Sequence, residues 1–358
     1  MNKGRAWVEV DLNVIKANLN VIRNLVSPAG VLACVKANAY GLGADKIAPV
    51  LKDKVAGFAV ATVGEALELR RAGIKKEILV LGVCSPEEVP AGLVKSLAFT
   101  AVDFEHARTI SKIAAKLKKT ARLHLKVDTG MGRLGINPED LKKFYLFCTR
   151  LPFLKVTGIY THFPVAETRN SFTLRQIRTF QKVSDPLRRG YLIRHAANSA
   201  AILNYPESWF DLVRAGIALY GVGSLLKSVV TLGSRLVFVK EVKTGGSVSY
   251  GRYFRARKRT KVATVSIGYA DGYSRSLSNI AEVLVSGQRC PVIGAVCMDM
   301  TMVDVTNVPE VKVGDEVILI GKQKNGEIKV EEVADWAKTV PHEILSRLGP
   351  RITRLYHG

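Results

Sequence analysis

The chain reads as an α/β protein: an eight-stranded parallel (β/α)8 barrel followed by a β-rich C-terminal domain. Three observations lead there. Short apolar runs alternate with amphipathic segments about eight times, at roughly 20–35-residue spacing, through the first 220 residues. After about residue 222 the helical spacing gives way to closely spaced strand-like runs and turn pairs. At 358 residues, the chain also exceeds the roughly 250 residues typical of a barrel alone.

Residues 4–10 (GRAWVEV) read as a lone strand, expected to cross over and join the second domain. Residues 12–26 place Leu12, Val14, Ile15, Leu19 and Ile22 at helical spacing, and Asp11 sits where an N-cap belongs. The barrel runs are VLACVKAN (31–38), FAVAT (58–62), ILVLG (78–82), AFTAVD (98–103), ARLHLKVD (121–128), VTGIYTH (156–162), RHAANS (194–199) and LVRAGIALY (212–220). Each is almost continuously apolar, as strands covered on both faces are. Between them, 63–72 reads as a helix stopped by Gly73, and 104–118 and 138–150 are similar. An open doubly wound sheet is the alternative, but the first run ends in KANAYGLG rather than GxGxxG. Beyond 222 come RLVFVKEV, SVSYG, VATVSIG, AEVLVS, CPVIGAVCM, TMVDV and EVILIG, with GG (245–246), DG (271–272) and NG (325–326) between them, then one helix-like segment at 330–340. The expected division is a barrel over 11–222 and a β-rich domain over 223–358 that takes in strand 4–10.

Composition narrows the function. Lys and Arg outnumber Asp and Glu by 53 to 31, a net charge of +22, so nucleic acid must be weighed as a partner. The basic run GRYFRARKRT (251–260) interleaves aromatics with Arg255, Arg257, Lys258 and Arg259, but no nucleic-acid motif accompanies it, and a solvated loop is the favoured reading. Five cysteines, at 34, 84, 148, 290 and 297, form no CxxC pair, which fits a reducing compartment. The N-terminus lacks a signal-peptide pattern, and no run approaches about 18 apolar residues. A soluble cytoplasmic protein that binds neither membrane nor specific nucleic acid is expected. VDTG and YADG carry acids without metal-ligand spacing, so no metal is expected.

In such a barrel, functional groups gather at the C-terminal ends of the strands. Lys36, Asn38 and Tyr40 fall there, as do Lys126, Asp128 and Arg133, then His162, then Asn198 and Ser199; Arg214 lies inside the eighth run. A buried ammonium is costly unless paired or neutralised, and a Schiff base to an aldehyde would neutralise Lys36. On position alone, a lysine reaching from the rim into water is equally open, and a buried arginine such as Arg214 is more often a structural ion pair than a catalytic group. His195 has no evident partner and reads as an interior histidine; Cys297, Tyr273 and Trp336 read as packing.

The string CVKANAYGLG resembles the pyridoxal-phosphate attachment motif of alanine racemases. LHLKVDTGMGRLGI (123–136), GIYTHF (158–163), HAANSAA (195–201), VRAGIALYG (213–221), SVSYG (247–251), IGYADGY (267–273) and GAVCMDMTMVDV (294–305) extend the resemblance in order along almost the whole chain. The resemblance implies a barrel plus β-rich domain, a pyridoxal 5'-phosphate cofactor, and a homodimer with shared active sites acting on a small amino acid. It implies an L-alanine/D-alanine isomerase that supplies D-alanine for peptidoglycan. Lys36 would carry the cofactor and serve as one catalytic base, and Tyr250 from the second subunit would be the opposite base. His162 and Arg214 would link to that tyrosine and the cofactor, with Arg214 on the pyridine nitrogen. Tyr40, Asn198 and Ser199, with the backbone of Gly216 and Ile217, would hold the cofactor and its phosphate. Arg133 and the backbone of Met298 would hold the substrate carboxylate, Tyr269 would line the entrance, and Lys126 matches a lysine that carries a carbamate in some members.

The chemistry needs such a set. Racemisation removes a proton from one face of Cα and returns it to the other, so two bases on opposite faces are the direct solution, each shifted from its ordinary pKa near 10. The chain departs from the family at Leu42, where many members have His, at Ala215, in place of Pro, and at Pro350, where a Tyr before an RVPR-like tail is expected. A related decarboxylase of basic amino acids would place an acid on the pyridine nitrogen, against VRAGIALYG. A bare cofactor-carrying barrel would lack the region that holds Tyr250.

Overall fold

A computed structural model describes residues 3–188 and 192–358. Strand β1 (Ala6–Asp11) comes first. Strands β2 (Gly30–Cys34), β3 (Gly57–Val60), β4 (Glu77–Val80), β5 (Ala98–Ala101), β6 (Ala121–Lys126), β7 (Leu154–Tyr160), β8 (Ile193–His195) and β9 (Leu212–Ala215) then close into a parallel barrel. Closure runs from β9 back to β2, from Gly30 opposite Leu212 to Ala33 opposite Ala215. Side chains fill the barrel on one face of each strand and helices cover the other, which is why β3 and β5 are buried at every position. The first helix, Leu12–Val26, buries Leu12, Ile15, Leu19, Ile22 and Val26, and the Asp11 carboxylate accepts the Val14 N–H at 2.9 Å as its cap.

All eight barrel strands stop sooner than the runs that announced them, three of them by four residues or more. β2 ends at Cys34, before Lys36; β8 ends at His195; β9 ends at Ala215, and Ile217–Tyr220 form a buried 3-10 turn. Apolar composition persists past the strand ends because the turns above the barrel are themselves covered.

The remaining sheet is organised by the long strand β10 (Val230–Val242), which pairs antiparallel with β1. β1 also pairs in parallel with the last strand of the chain, Thr353–His357. Between them lie β11 (Ser247–Val248), β12 (Phe254–Arg255), β13 (Thr260–Val265), β14 (Glu282–Val285), β15 (Gln288–Pro291), β16 (Thr301–Asp304), β17 (Glu316–Gln323) and β18 (Gly326–Ile328), so that Thr353–His357 is β19. The β17–β18 hairpin turns through Lys324 and Asn325, one residue earlier than the expected Asn-Gly pair, since Gly326 already pairs with Gln323 as the first residue of β18. Two helices, Val330–Trp336 and Pro341–Ser346, precede β19. The second has no apolar periodicity to announce it and starts on a proline, a residue preorganised for the first helical turn.

The basic run is not wholly a loop. Phe254 and Arg255 form β12, paired with β11, and Ala256 is buried, while Arg255, Arg257, Lys258 and Arg259 stay exposed. Among the described residues, no helix is long and apolar enough to cross a membrane.

Candidate active site

The C-terminal ends of the barrel strands surround a cavity of about 600 Å³. Lys36, Tyr40, Lys126, Arg133, His162, Asn198, Ser199, Arg214, Gly216 and Ile217 all line it. Glu167, Tyr160, Cys34 and the segment Val340–His342, none of them expected from the sequence, line it too. Pro350 does not; the wall contributed by the C-terminal region is Val340–His342, and the His342 ring packs 5.7 Å from that of Tyr40. Leu42 points into the core and Ala215 is buried in β9, so neither reaches the cavity.

Lys36 opens an unusual turn. Ala37, Asn38, Ala39 and Tyr40 all have φ between +51° and +56°, one left-handed turn closed by Ala39 N–H on Val35 C=O and Gly41 N–H on Ala37 C=O. Left-handed geometry costs L-residues about 1–2 kcal/mol each, so neighbours must hold it. Arg354 Nε donates to Gly41 C=O at 2.8 Å and the Tyr356 hydroxyl to Leu42 C=O at 3.0 Å, both from β19. A Cβ on Gly43 would sit 1.9 Å from that hydroxyl, so only glycine lets β19 approach.

Arg214 is buried, and its two terminal nitrogens bond to the barrel interior. Its Nη2 donates to the carbonyls of Thr161 and Ala196, each at 2.8 Å, and to His162 Nδ1 at 3.1 Å; its Nη1 donates to His195 Nδ1 at 3.0 Å. A guanidinium only donates, so both histidines accept at Nδ1 and carry their protons on Nε2. His195 Nε2–H therefore donates to His124 Nδ1 at 2.8 Å, and His124 Nε2 lies 3.5 Å from Glu77. Burial, then the charge of Arg214, pushes His162 down to about 2 and His195 well below its ordinary value. His195, read from sequence as lacking a partner, has two. The signal was absent because His124 and His195 meet only when β6 and β8 are brought round the barrel.

Lys126 is buried, and its amine has no hydrogen-bond partner among the described residues; it lies 4.5 Å from the centre of the Tyr160 ring. Burial, then Arg214 and Arg133, holds its pKa well below the ordinary value. Arg133 is exposed at the rim, on a loop shaped by Asp128, whose carboxylate accepts N–H groups from Gly130, Met131 and Gly132 at 2.8–3.1 Å. Ser199 Oγ accepts N–H groups from Gly216 at 2.9 Å and Ala218 at 3.2 Å. Asn198 is engaged as a cap: its Oδ1 accepts the Ala201 N–H and its Nδ2 donates to Phe163 C=O.

Tyr250, Tyr269 and Met298 do not line the cavity. They form a second group on adjoining loops: Ser249 Oγ donates to Ala295 C=O at 2.6 Å, Tyr269 N–H to Cys297 C=O and Ala270 N–H to Met298 C=O, both at 3.0 Å. Their side chains are 67%, 40% and 52% exposed. The chain thus carries a cationic cavity, with Lys36, Lys126, Arg133 and Arg214 around it, and a separate exposed tyrosine cluster. Such a cavity suits a ligand bearing phosphate and carboxylate groups.

Both halves of the chain are similar to known proteins. Residues 10–224 match the family described as "Alanine racemase, N-terminal domain" and residues 229–356 "Alanine racemase, C-terminal domain". The alanine racemase of Desulforamulus reducens is 42% identical, over 98% of this chain and 99% of its own. The structure of alanine racemase from the D-cycloserine producer Streptomyces lavendulae is 32% identical, covers 100% of this chain and 98% of its own, and superposes with a TM-score of 0.94. That from Bartonella henselae, with covalently bound pyridoxal phosphate, is 32% identical, covers 99% of this chain and 100% of its own, and has a TM-score of 0.91. With both halves matched in order, and full-length relatives at this identity, the chain belongs to the alanine racemase family.

Proposed function

We propose that this chain interconverts L- and D-alanine with pyridoxal 5'-phosphate as cofactor, as a cytoplasmic homodimer that supplies D-alanine for peptidoglycan. The observation that carries the reading is the split arrangement: one base, Lys36, sits in the cavity, and the other, Tyr250, is exposed outside it. A second copy docking its tyrosine cluster over the cavity would complete both sites. Tyr253, Ile280 and Met300, apolar and exposed, support such docking. The barrel, 11–222, would hold the cofactor, and 223–358 with strand 4–10 would present Tyr250.

The residues fit the cofactor. A Cβ on Gly216 would sit 2.4 Å from the Tyr40 hydroxyl, so this corner admits backbone only, as a phosphate cradle requires. Lys36 would hold the cofactor covalently; Tyr40, Ser199 and the Gly216–Ile217 backbone would hold its phosphate; Arg214 would face its ring nitrogen; Asn198 would support this wall. Bound there, pyridoxal phosphate acts as an electron sink that acidifies the substrate's Cα proton.

Lys36 takes or returns the proton on one face of Cα, and Tyr250 of a second copy does so on the other. His162 is neutral with Nδ1 engaged by Arg214, so its Nε2–H is the group that can donate to the Tyr250 oxygen and favour its ionised form. Arg133 and the Met298 backbone orient the substrate carboxylate, and Tyr269 narrows the entrance. Lys126, whose pKa burial holds well below the ordinary lysine value, is suited to add carbon dioxide, its amine losing one proton and gaining a carbamate that would pair with Arg133.

Chiral chromatography after incubating the pure protein, with pyridoxal phosphate, with each L-amino acid should show alanine converted fastest. Borohydride reduction and peptide mapping should place the pyridoxyl group on Lys36. No conversion, or a label on another lysine, would overturn the reading.

A further inference from the structure

The turn that follows Lys36 is also held by one carboxylate from the helix after β3. Glu65 stands at the start of the helix Val63–Arg71, directly after β3. Its Oε1 accepts the Ala37 N–H at 2.7 Å; its Oε2 accepts the Ala61 N–H at 2.7 Å and the Thr62 N–H at 3.3 Å. It therefore ties the residue after Lys36 to the end of the neighbouring barrel strand. The other holds on this turn, Arg354 and Tyr356, grip its far end at Gly41 and Leu42. Among the described residues, Glu65 supplies the side-chain bond to the N–H of the residue that follows Lys36.

We propose that Glu65 is a positioning residue for Lys36: by clamping the Ala37 amide to the end of β3 it keeps the left-handed turn wound and the amine aimed into the cavity. This rests on the reading of Lys36 as the cofactor lysine. A carboxylate suits the task because both oxygens accept, and the groups they meet are all N–H donors. A carboxamide of the same shape cannot serve both sides. Its NH2 must face either Ala37 or Ala61, leaving donor against donor.

Glu65 also belongs to a capping box, in which its own N–H donates to Thr62 Oγ1 at 3.2 Å. That permits a control. Thr62→Ala weakens the same helix cap without touching the Ala37 amide, whereas Glu65→Gln breaks the clamp. Three quantities are compared in the two variants and the wild type: amide hydrogen exchange of Ala37–Gly41, the rate at which Lys36 captures added pyridoxal phosphate in cofactor-stripped protein, and kcat and KM for alanine. In Glu65→Gln, exchange should rise about tenfold or more. Capture and kcat should each fall about 10- to 100-fold, since small misplacements of a reacting group cost that much, and KM should move less than about threefold. Thr62→Ala should match the wild type within about threefold in all of them. The inference is overturned if exchange at Ala37–Gly41 is unchanged in Glu65→Gln, if capture is unchanged, or if Thr62→Ala reproduces both changes. Failure of wild-type Lys36 to capture the cofactor would instead overturn the function proposed above, and the exchange comparison would still judge the clamp.

Discussion

Replacing His195 by Phe would test the hydrogen-bonded core beneath the cavity. Phenylalanine keeps a flat ring against Tyr160, on which His195 stacks at 4.8 Å with 6° between the planes, and deletes both nitrogens. Arg214 Nη1 and His124 Nδ1 lose their partner in a region closed to water. A bond from a charged donor contributes about 1.5–3 kcal/mol and an orphaned neutral acceptor costs about 1–3, so the variant should be less stable by about 3–5 kcal/mol. The deficit should also depend on pH. The folded chain holds His195 neutral well below its ordinary pKa of 6.5. The unfolded chain binds the proton that the folded chain refuses, so the contribution of His195 is whole above about pH 6.5 and falls below it by about 1.4 kcal/mol per unit. Between about pH 8 and pH 5.5 the gap between wild type and variant should therefore narrow by about 1.4 kcal/mol. Urea denaturation followed by circular dichroism at the two pH values measures both quantities. A deficit under about 1 kcal/mol at the higher pH, or a gap that does not change with pH, would refute the tautomer chain from Arg214 to His124.

Other outcomes follow from the same geometry. Lys36→Ala and Tyr250→Phe should each be nearly inactive, and subunit exchange between them should restore about a quarter of wild-type activity, since half the dimers then hold one intact site of two; proven exchange without recovery would put both residues in one subunit's site. Gly216→Ala places a methyl group 2.4 Å from the Tyr40 hydroxyl and should weaken pyridoxal phosphate binding at least about tenfold by equilibrium dialysis; unaltered affinity would remove Gly216 from the cradle. Changing Arg255, Arg257, Lys258 and Arg259 together to Gln should leave kcat/KM within about threefold and weaken only salt-sensitive polyanion binding, whereas loss of sequence-selective binding at physiological salt would show that the run reads nucleic acid.

Much of the site was legible because its residues sit at strand ends, and strand ends can be counted from apolar runs. Lys36, Lys126, His162, Ser199 and Arg214 are all brought to one cavity from five different strands. Glu65, Glu167, His195 and His342 were not legible in the same way. Glu65 hides as an ordinary acidic residue in a helix's first turn. His342 stands on a six-residue helix with no periodicity, and its neighbour in space, Tyr40, lies about three hundred residues away in sequence.

Local patterning was enough for the barrel, the β-rich second half and the family, because side-chain period and short motifs depend on residues close in the chain. It was enough to name Lys36 but not to see the left-handed turn that follows it, since four non-glycine residues adopt that geometry only under outside support. That support comes from Glu65 after β3 and from Arg354 and Tyr356 in β19. Tertiary structure alone decided these partners, the relay from Arg214 through His195 to His124, and the separation of Tyr250 from the cavity. Hydrogen bonds reach only about 3 Å, and which donors and acceptors come that close is settled by closing the barrel and laying β1 between β10 and β19, not by any local pattern.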